Sequence, residues 1–157
     1  MDPRIKRAIV EAFAQEPFAR ALNMKLAALD TGTSSVEMIF DPDMMGNLFG
    51  RAHGGALFAL IDEAFETSCQ THGTMAVALN VNVTYVSSPE PGSTLRAESR
   101  EENLTRKTAT YDIKVFAADG TLVATCKALA YRTGKPLPFL KTAEERTSGT
   151  GDEDGLA

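Results

Sequence analysis

The chain has 157 residues, a formal net charge of −5 at pH 7 and 43% hydrophobic residues. This length and composition predict one globular domain with a core of ordinary size. The acidic balance argues against a general nucleic-acid-binding protein, because such proteins normally carry a basic stripe. No apolar run reaches the roughly 18 residues that span a bilayer, and the N-terminus shows no signal-peptide pattern, so we expect a cytoplasmic protein without membrane contact.

The hydrophobic pattern predicts, in chain order, one helix, two strands, one long helix and four strands. The N-terminal segment 1–17 has apolar residues at helical spacing and a proline, Pro3, where a helix can start. Two short apolar segments, 21–29 and 34–40, are separated by a turn composition and predict a hairpin.

The long helix begins near Gly54 and is apolar around most of its circumference, so we expect it to be buried. His72-Gly73 is a typical helix stop. Strand patterns follow at 77–85, 94–102, 107–117 and 121–132. Along 77–85 apolar residues alternate with polar or small ones, which predicts a strand with one apolar face that includes Val77, Leu79, Val81 and Val83. One apolar helix beside an antiparallel sheet is buried best if the sheet wraps around it, which predicts an α+β fold with five to six strands curled around a central helix.

The C-terminal segment and the two cysteines give no sign of a catalytic or metal-binding function. Periodicity ends after residue 138, and 139–157 is predicted to be a disordered acidic tail that follows the main domain, 18–138. The two cysteines, Cys69 and Cys126, are expected to be buried small apolar residues. No group of histidines, cysteines or carboxylates has the spacing of a metal site, so no metal and no cofactor are predicted.

The segment His53-Gly54-Gly55 stands at the start of the long helix, and Asp62 lies about two turns inside it. Backbone N–H groups at a helix start lack intrahelical partners, and glycine lets a substrate carbonyl approach them. A carboxylate on a buried helix is costly unless it is paired or used. The combination predicts a site for an electrophile, with an Asp62 that simply faces solvent as the alternative.

Four features occur together in this sequence: Asn47, His53-Gly54-Gly55, Asp62 and Asn82-Val83-Thr84-Tyr85. With this combination the chain, over roughly residues 20–134, resembles the hotdog-fold acyl-CoA thioesterases of the phenylacetyl-CoA thioesterase (PaaI-like) family. The resemblance implies a sheet curled around the helix and a homodimer or dimer of dimers with active sites at the dimer interface. It also implies hydrolysis of an aryl- or medium-chain acyl-CoA to the free acid and coenzyme A.

The resemblance further implies roles for single residues. Asp62 corresponds to the catalytic carboxylate, acting as nucleophile or general base, and the Gly54 N–H to the donor that polarises the thioester carbonyl. Asn47 corresponds to an asparagine that binds the carbonyl or the attacking water. His53 is a further catalytic candidate, although its position favours hydrogen bonding within the glycine turn. The predicted substrate-binding residues are Gly55, Phe58, Glu66, Asn82, Arg106 and Lys107.

Glu66 departs from the family pattern, because relatives more often carry a hydroxyl or an apolar residue one turn after the carboxylate. If Glu66 and Asp62 share the site, one of them becomes harder to ionise; alternatively Glu66 faces solvent or pairs with a basic residue. The basic pair Arg106 and Lys107 is a candidate for the phosphates of coenzyme A, with ordinary surface charge as the alternative.

Two other functions compete with hydrolysis. Hotdog hydratases that act on enoyl thioesters are associated with an aspartate and a histidine five residues apart, and Thr67 stands at that place after Asp62. A non-catalytic acyl-CoA-binding module would keep the groove but could lose the carboxylate. The joint presence of Asn47, Gly54 and Asp62 favours hydrolysis.

Overall fold

The computed structural model describes residues 1–140, so the predicted tail lies outside the described residues from residue 141 onward. The predicted order of the main elements is confirmed, and two short helices that were not predicted are added. The elements are α1 (Pro3–Gln15), α2 (Pro17–Ala21), β1 (Lys25–Asp30), β2 (Thr33–Ile39), α3 (Pro42–Met45), α4 (Gly54–Cys69), β3 (Thr74–Tyr85), β4 (Thr94–Leu104), β5 (Thr108–Ala117) and β6 (Leu122–Pro136).

All six strands form one antiparallel sheet in the order β1-β2-β4-β5-β6-β3, so β1 and β3 are its edges. Helix α4 contacts every strand, which requires the sheet to curl around it. The predicted α+β fold with a central helix is therefore confirmed. No helix within residues 1–140 combines the length and apolar character needed to cross a membrane.

Paired hydroxyl groups fix how α4 is rotated in the sheet. Ser68 Oγ lies 2.7 Å from Ser99 Oγ of β4, and Thr67 Oγ1 lies 2.7 Å from Ser34 Oγ of β2. All four side chains are buried, where an unpaired hydroxyl would be costly. A rotation of α4 would break both pairs, so the directions of its other side chains are well determined.

Strand β3 does not have the single apolar face that its sequence predicts. Its register with β6 shifts between Ala78 and Asn80, which makes Leu79 the extra residue of a β-bulge. Ala76 before the bulge and Val81 and Val83 after it pack on the core, whereas Val77 and Leu79 are exposed. The expected apolar face along 77–85 is wrong because the bulge changes the phase of the alternation.

Element boundaries differ from the prediction at two places. The first strand begins at Lys25, because Pro17 starts the short helix α2 and Asn23, with a positive φ of 52°, follows its end. At the other end of the described chain, Leu140 packs against the buried cluster of Ile9, Leu29 and Leu137. Residue 140 therefore still belongs to the folded part, although the predicted tail starts at residue 139. Both cysteines are buried, as expected.

A substitution at Phe65 tests how much the packing of α4 contributes to the free energy of unfolding. Its ring is 1% exposed and meets the Tyr111 ring edge to face, with 5.3 Å between centroids. Phe65→Ala should lower the free energy of unfolding by about 3–5 kcal/mol, because it removes a buried ring and leaves a cavity. The control Phe18→Ala removes a ring that is 55% exposed and should cost less than about 1 kcal/mol. Urea unfolding measures both, and equal losses in the two variants would contradict the packing described.

Candidate active site

Asn47 organises the loop that leads into α4. Its Oδ1 accepts hydrogen bonds from the backbone N–H groups of Phe49 at 2.9 Å and Arg51 at 3.1 Å. Its own backbone N–H donates to the Arg51 carbonyl at 2.8 Å. The side-chain carbonyl is thus used by the loop, and the Nδ2 amide is the part of Asn47 that can donate to a substrate or a water.

His53 is the N-cap of α4. Its Nδ1 accepts a hydrogen bond from the Gly55 backbone N–H at 2.9 Å, so in the neutral ring the proton is on Nε2. A capping side chain satisfies one of the free N–H groups at a helix start. Gly55 therefore donates its N–H to the cap and leaves the Gly54 N–H as the donor nearest the helix end.

Gly54 is the first residue of α4, and its N–H makes no hydrogen bond within residues 1–140. The helix dipole adds partial positive charge at this end. A Cβ at this position would lie 3.1 Å from Cζ and Oη of Tyr85, whose hydroxyl donates to the Gly54 carbonyl at 2.9 Å. A side chain at position 54 would therefore press on Tyr85, a neighbour that the sequence analysis did not assign to the site.

Asp62 lies further along α4, on the side that faces strand β3. It is half-buried and lines a cavity of about 220 Å³ together with Glu66, Ala76 and Ala78. Burial raises the pKa of Asp62 above its usual range. Asp62 forms no salt bridge with any residue of the described chain, 1–140. Asp62 is therefore neither fully exposed nor fully buried.

Gly54 and Asp62 of the same chain are too far apart to act on one carbonyl group. Both belong to α4, and eight residues of helix rise about 12 Å along the axis at 1.5 Å per residue. An oxyanion donor and a carboxylate that attacks or deprotonates must each lie about 3 Å from the reacting group. A site that uses both residues needs a second copy of the chain.

Glu66 points to the same cavity as Asp62 and also lines a second cavity of about 300 Å³ beneath α1. Desolvation, followed by the neighbouring charges of Glu16 and Asp62, raises the pKa of Glu66. Within residues 1–140, Glu66 has no salt bridge to a lysine or arginine. Glu66 is exposed to solvent, which was one of the alternatives for it, and at the same time it lines the cavity of Asp62.

The remaining predicted residues lie elsewhere within one subunit. Asn82 pairs with Lys127 in the β3–β6 register, on the face of β3 opposite to Val81 and Val83, and is therefore not beside Asp62. Arg106 and Lys107 are exposed in the turn between β4 and β5, and Lys107 Nζ lies 5.4 Å from the centroid of the Tyr131 ring. Phe58 is partly exposed on α4, one turn before Asp62.

Known proteins match the part of the chain that contains these residues. The family model described as Thioesterase superfamily matches residues 49–124. Acyl-coenzyme A thioesterase PaaI of Escherichia coli (strain K12) is 29% identical over 122 residues, covering 78% of this chain and 86% of that protein. The structure of E. coli PaaI superposes with a TM-score of 0.81 at 26% identity, covering 85% of this chain and 96% of that chain.

Two further solved structures are also similar. A mutant structure of the phenylacetic acid degradation protein PaaI from Thermus thermophilus is 38% identical, with a TM-score of 0.71 and coverage of 74% of this chain and 99% of that chain. A Streptococcus mutans protein bound to acetyl CoA is 28% identical, with a TM-score of 0.70 and coverage of 73% and 92%. The residues matched by the family model, 49–124, include α4, β3, β4 and β5.

Substitutions at His53 separate a capping role from proton transfer. His53→Ala removes the acceptor for the Gly55 N–H and should lower the free energy of unfolding by about 0.5–2 kcal/mol. His53→Asn supplies another capping oxygen and should restore most of that stability. We expect His53→Asn to keep turnover within a few-fold of wild type. A loss of about 10²–10⁴ in turnover in both variants would instead assign proton transfer to His53.

Proposed function

The chain belongs to the hotdog-fold thioesterase superfamily, and on this premise we propose that it hydrolyses acyl-CoA thioesters with Asp62 as the catalytic carboxylate. The observation that carries the proposal concerns Asp62, which is partly desolvated and faces a cavity. Within residues 1–140 it has no cationic partner. Such a carboxylate suits attack on a carbonyl or activation of water. Acyl-CoA as the substrate class is supported by the name of the E. coli relative and by the acetyl CoA bound to the S. mutans protein.

In the proposed reaction the thioester oxygen accepts a hydrogen bond from the Gly54 N–H. Hydrolysis builds negative charge on that oxygen in the transition state, and a free N–H at a helix start stabilises it. Asp62 either attacks the carbonyl carbon to give a mixed anhydride, which water then cleaves, or takes a proton from the attacking water. Coenzyme A leaves as the thiol in both cases. The Asn47 Nδ2 group is proposed to hold the carbonyl or the water.

We further propose that each site uses Asp62 of one subunit and Gly54 of another. This follows from the separation of about 12 Å along one helix. Strand β3 is an edge of the sheet, and the apolar side chains of Val77 and Leu79 are exposed there. An exposed, apolar edge strand is suited to pairing with another chain. A homodimer paired through β3 is therefore the proposed active unit, and a dimer of dimers would contain the same pair.

The two ends of the substrate are assigned by chemistry. The rings of Phe49 and Phe58 are exposed, and an aryl or medium-chain acyl group would cover such apolar surface. Arg106 and Lys107 are proposed to bind the phosphates of coenzyme A, because they are adjacent cations on an exposed turn. Substrate contacts by Gly55, Glu66 and Asn82, catalysis by His53 and a cytoplasmic location stay predictions.

The residue at the position where a hydratase would need a histidine argues against hydration of an enoyl thioester. Thr67 stands there, and its hydroxyl donates to the Glu63 carbonyl at 2.7 Å while it also contacts the Ser34 hydroxyl. The side chain is buried and fully used in packing α4. It offers no group that could exchange a proton with a substrate.

Asp62→Asn tests the proposal directly. The change keeps the size of the side chain but removes the base or nucleophile, so turnover should fall by about a hundredfold or more while acyl-CoA still binds. Release of free thiol from a panel of aryl and straight-chain acyl-CoA esters measures turnover and ranks the acyl groups. The control Asp119→Asn alters an exposed carboxylate in the β5–β6 turn and should match wild type.

Two results would contradict the proposal in different ways. Turnover of Asp62→Asn within a few-fold of wild type would remove Asp62 from the chemistry. Acyl-CoA binding by the wild-type protein without any thiol release would identify a binding module in place of a hydrolase.

A further inference from the structure

A group of three carboxylates, of which only Glu66 is a predicted substrate-binding residue, lies between α4 and the N-terminal helices. One carboxylate oxygen from each of Glu16, Glu63 and Glu66 lies within 4.8 Å of the others. Glu16 is the residue between α1 and α2, whereas Glu63 and Glu66 are one turn apart on α4. No spacing in the sequence reveals this group, because the fold alone brings Glu16 to α4.

Glu63 is the unusual member of the group. It is 3% exposed, and its Oε2 has no hydrogen-bond partner in residues 1–140. Within the same residues, none of the three carboxylates forms a salt bridge. An unpaired, buried carboxylate among like charges is costly unless a proton or a cation neutralises it.

We propose that Glu16, Glu63 and Glu66 bind a hard divalent cation, either Mg²⁺, Mn²⁺ or Ca²⁺. Carboxylate oxygens are the ligands that these ions prefer, whereas Zn²⁺ and Cu²⁺ favour nitrogen and sulfur ligands. Oxygens that share such an ion at about 2.1–2.5 Å are roughly 3–4 Å apart, so a spacing within 4.8 Å needs little closure.

The adjoining cavity of about 300 Å³, lined by Glu16 and Glu66, leaves room for the water ligands that complete the coordination of these ions.

The proposed ion would connect two parts of the fold. It joins the α1–α2 junction at Glu16 to the middle of α4, and so holds the N-terminal helices on the domain. It also binds Glu66, which lines the cavity of Asp62 as well. The first effect concerns stability and does not depend on the proposed hydrolysis, so it can be measured without substrate.

The experiment compares chelator-treated full-length protein with and without added Mn²⁺, followed by Mg²⁺ and Ca²⁺ as competitors. Electron paramagnetic resonance counts bound Mn²⁺, and thermal unfolding gives Tm. We expect about one ion per chain and a rise in Tm of roughly 5–10 °C at about a hundred times the Kd. Displacement of Mn²⁺ by Mg²⁺ or Ca²⁺ identifies which ion binds most tightly.

Two variants and one control make the result specific to this site. Glu63→Gln and Glu16→Gln keep side-chain size but remove a charged ligand, so each should weaken Mn²⁺ binding by about tenfold or more and reduce the Tm shift. Glu11→Gln alters an exposed carboxylate on α1 and should bind as wild type does. An unchanged Tm of the wild type in Mn²⁺, or full Mn²⁺ binding by both variants, would overturn the proposal.

Discussion

Helix α4 lies in the hollow of a six-stranded sheet and contacts every strand, and this packing determines where each functional group can be. The helix contributes fully buried residues such as Leu60, Ile61 and Phe65 to the core. The hydroxyl pairs of Ser68 with Ser99 and of Thr67 with Ser34 then fix its rotation. As a result the polar groups of α4 have defined places. The Gly54 N–H at its start has no hydrogen-bond partner within residues 1–140, Asp62 faces the β3 side, and Glu63 faces the N-terminal helices.

The rigidity of that helix also means that one chain cannot place both proposed catalytic groups, the Gly54 N–H and Asp62, at one thioester. Eight residues of helix separate Gly54 from Asp62 by about 12 Å, and no side-chain movement removes that distance from a backbone N–H. Several exposed apolar residues would be unfavourable in a monomer. They are Val77 and Leu79 on β3, and Leu48 and Phe49 in the loop before α4. They provide the surface on which a second subunit and an acyl group are proposed to lie.

The sequence predicted what depends on local patterns. The burial of α4, its start at the glycine turn and the order of the elements along the chain follow from periodicity and capping signals close to each element. The bulge at Leu79 was missed because one inserted residue leaves the apolar alternation intact while it reverses the faces. The contact of Tyr85 with Gly54 and the grouping of Glu16 with Glu63 were missed because they join residues far apart in the chain.

The most direct test of the shared site is complementation between two inactive variants, Asp62→Asn and Gly54→Pro. Proline removes the Gly54 N–H yet suits the first position of a helix, and His53 at φ −68° and ψ 133° already has the backbone conformation that precedes proline. The control Gly54→Ala places the same Cβ against Tyr85 but keeps the N–H. Refolded together, the two inactive variants should recover about a quarter of the wild-type rate of thiol release, because half of the dimers are mixed and each has one intact site. No recovery, despite mixed dimers being present, would show that Gly54 and Asp62 do not act across two subunits.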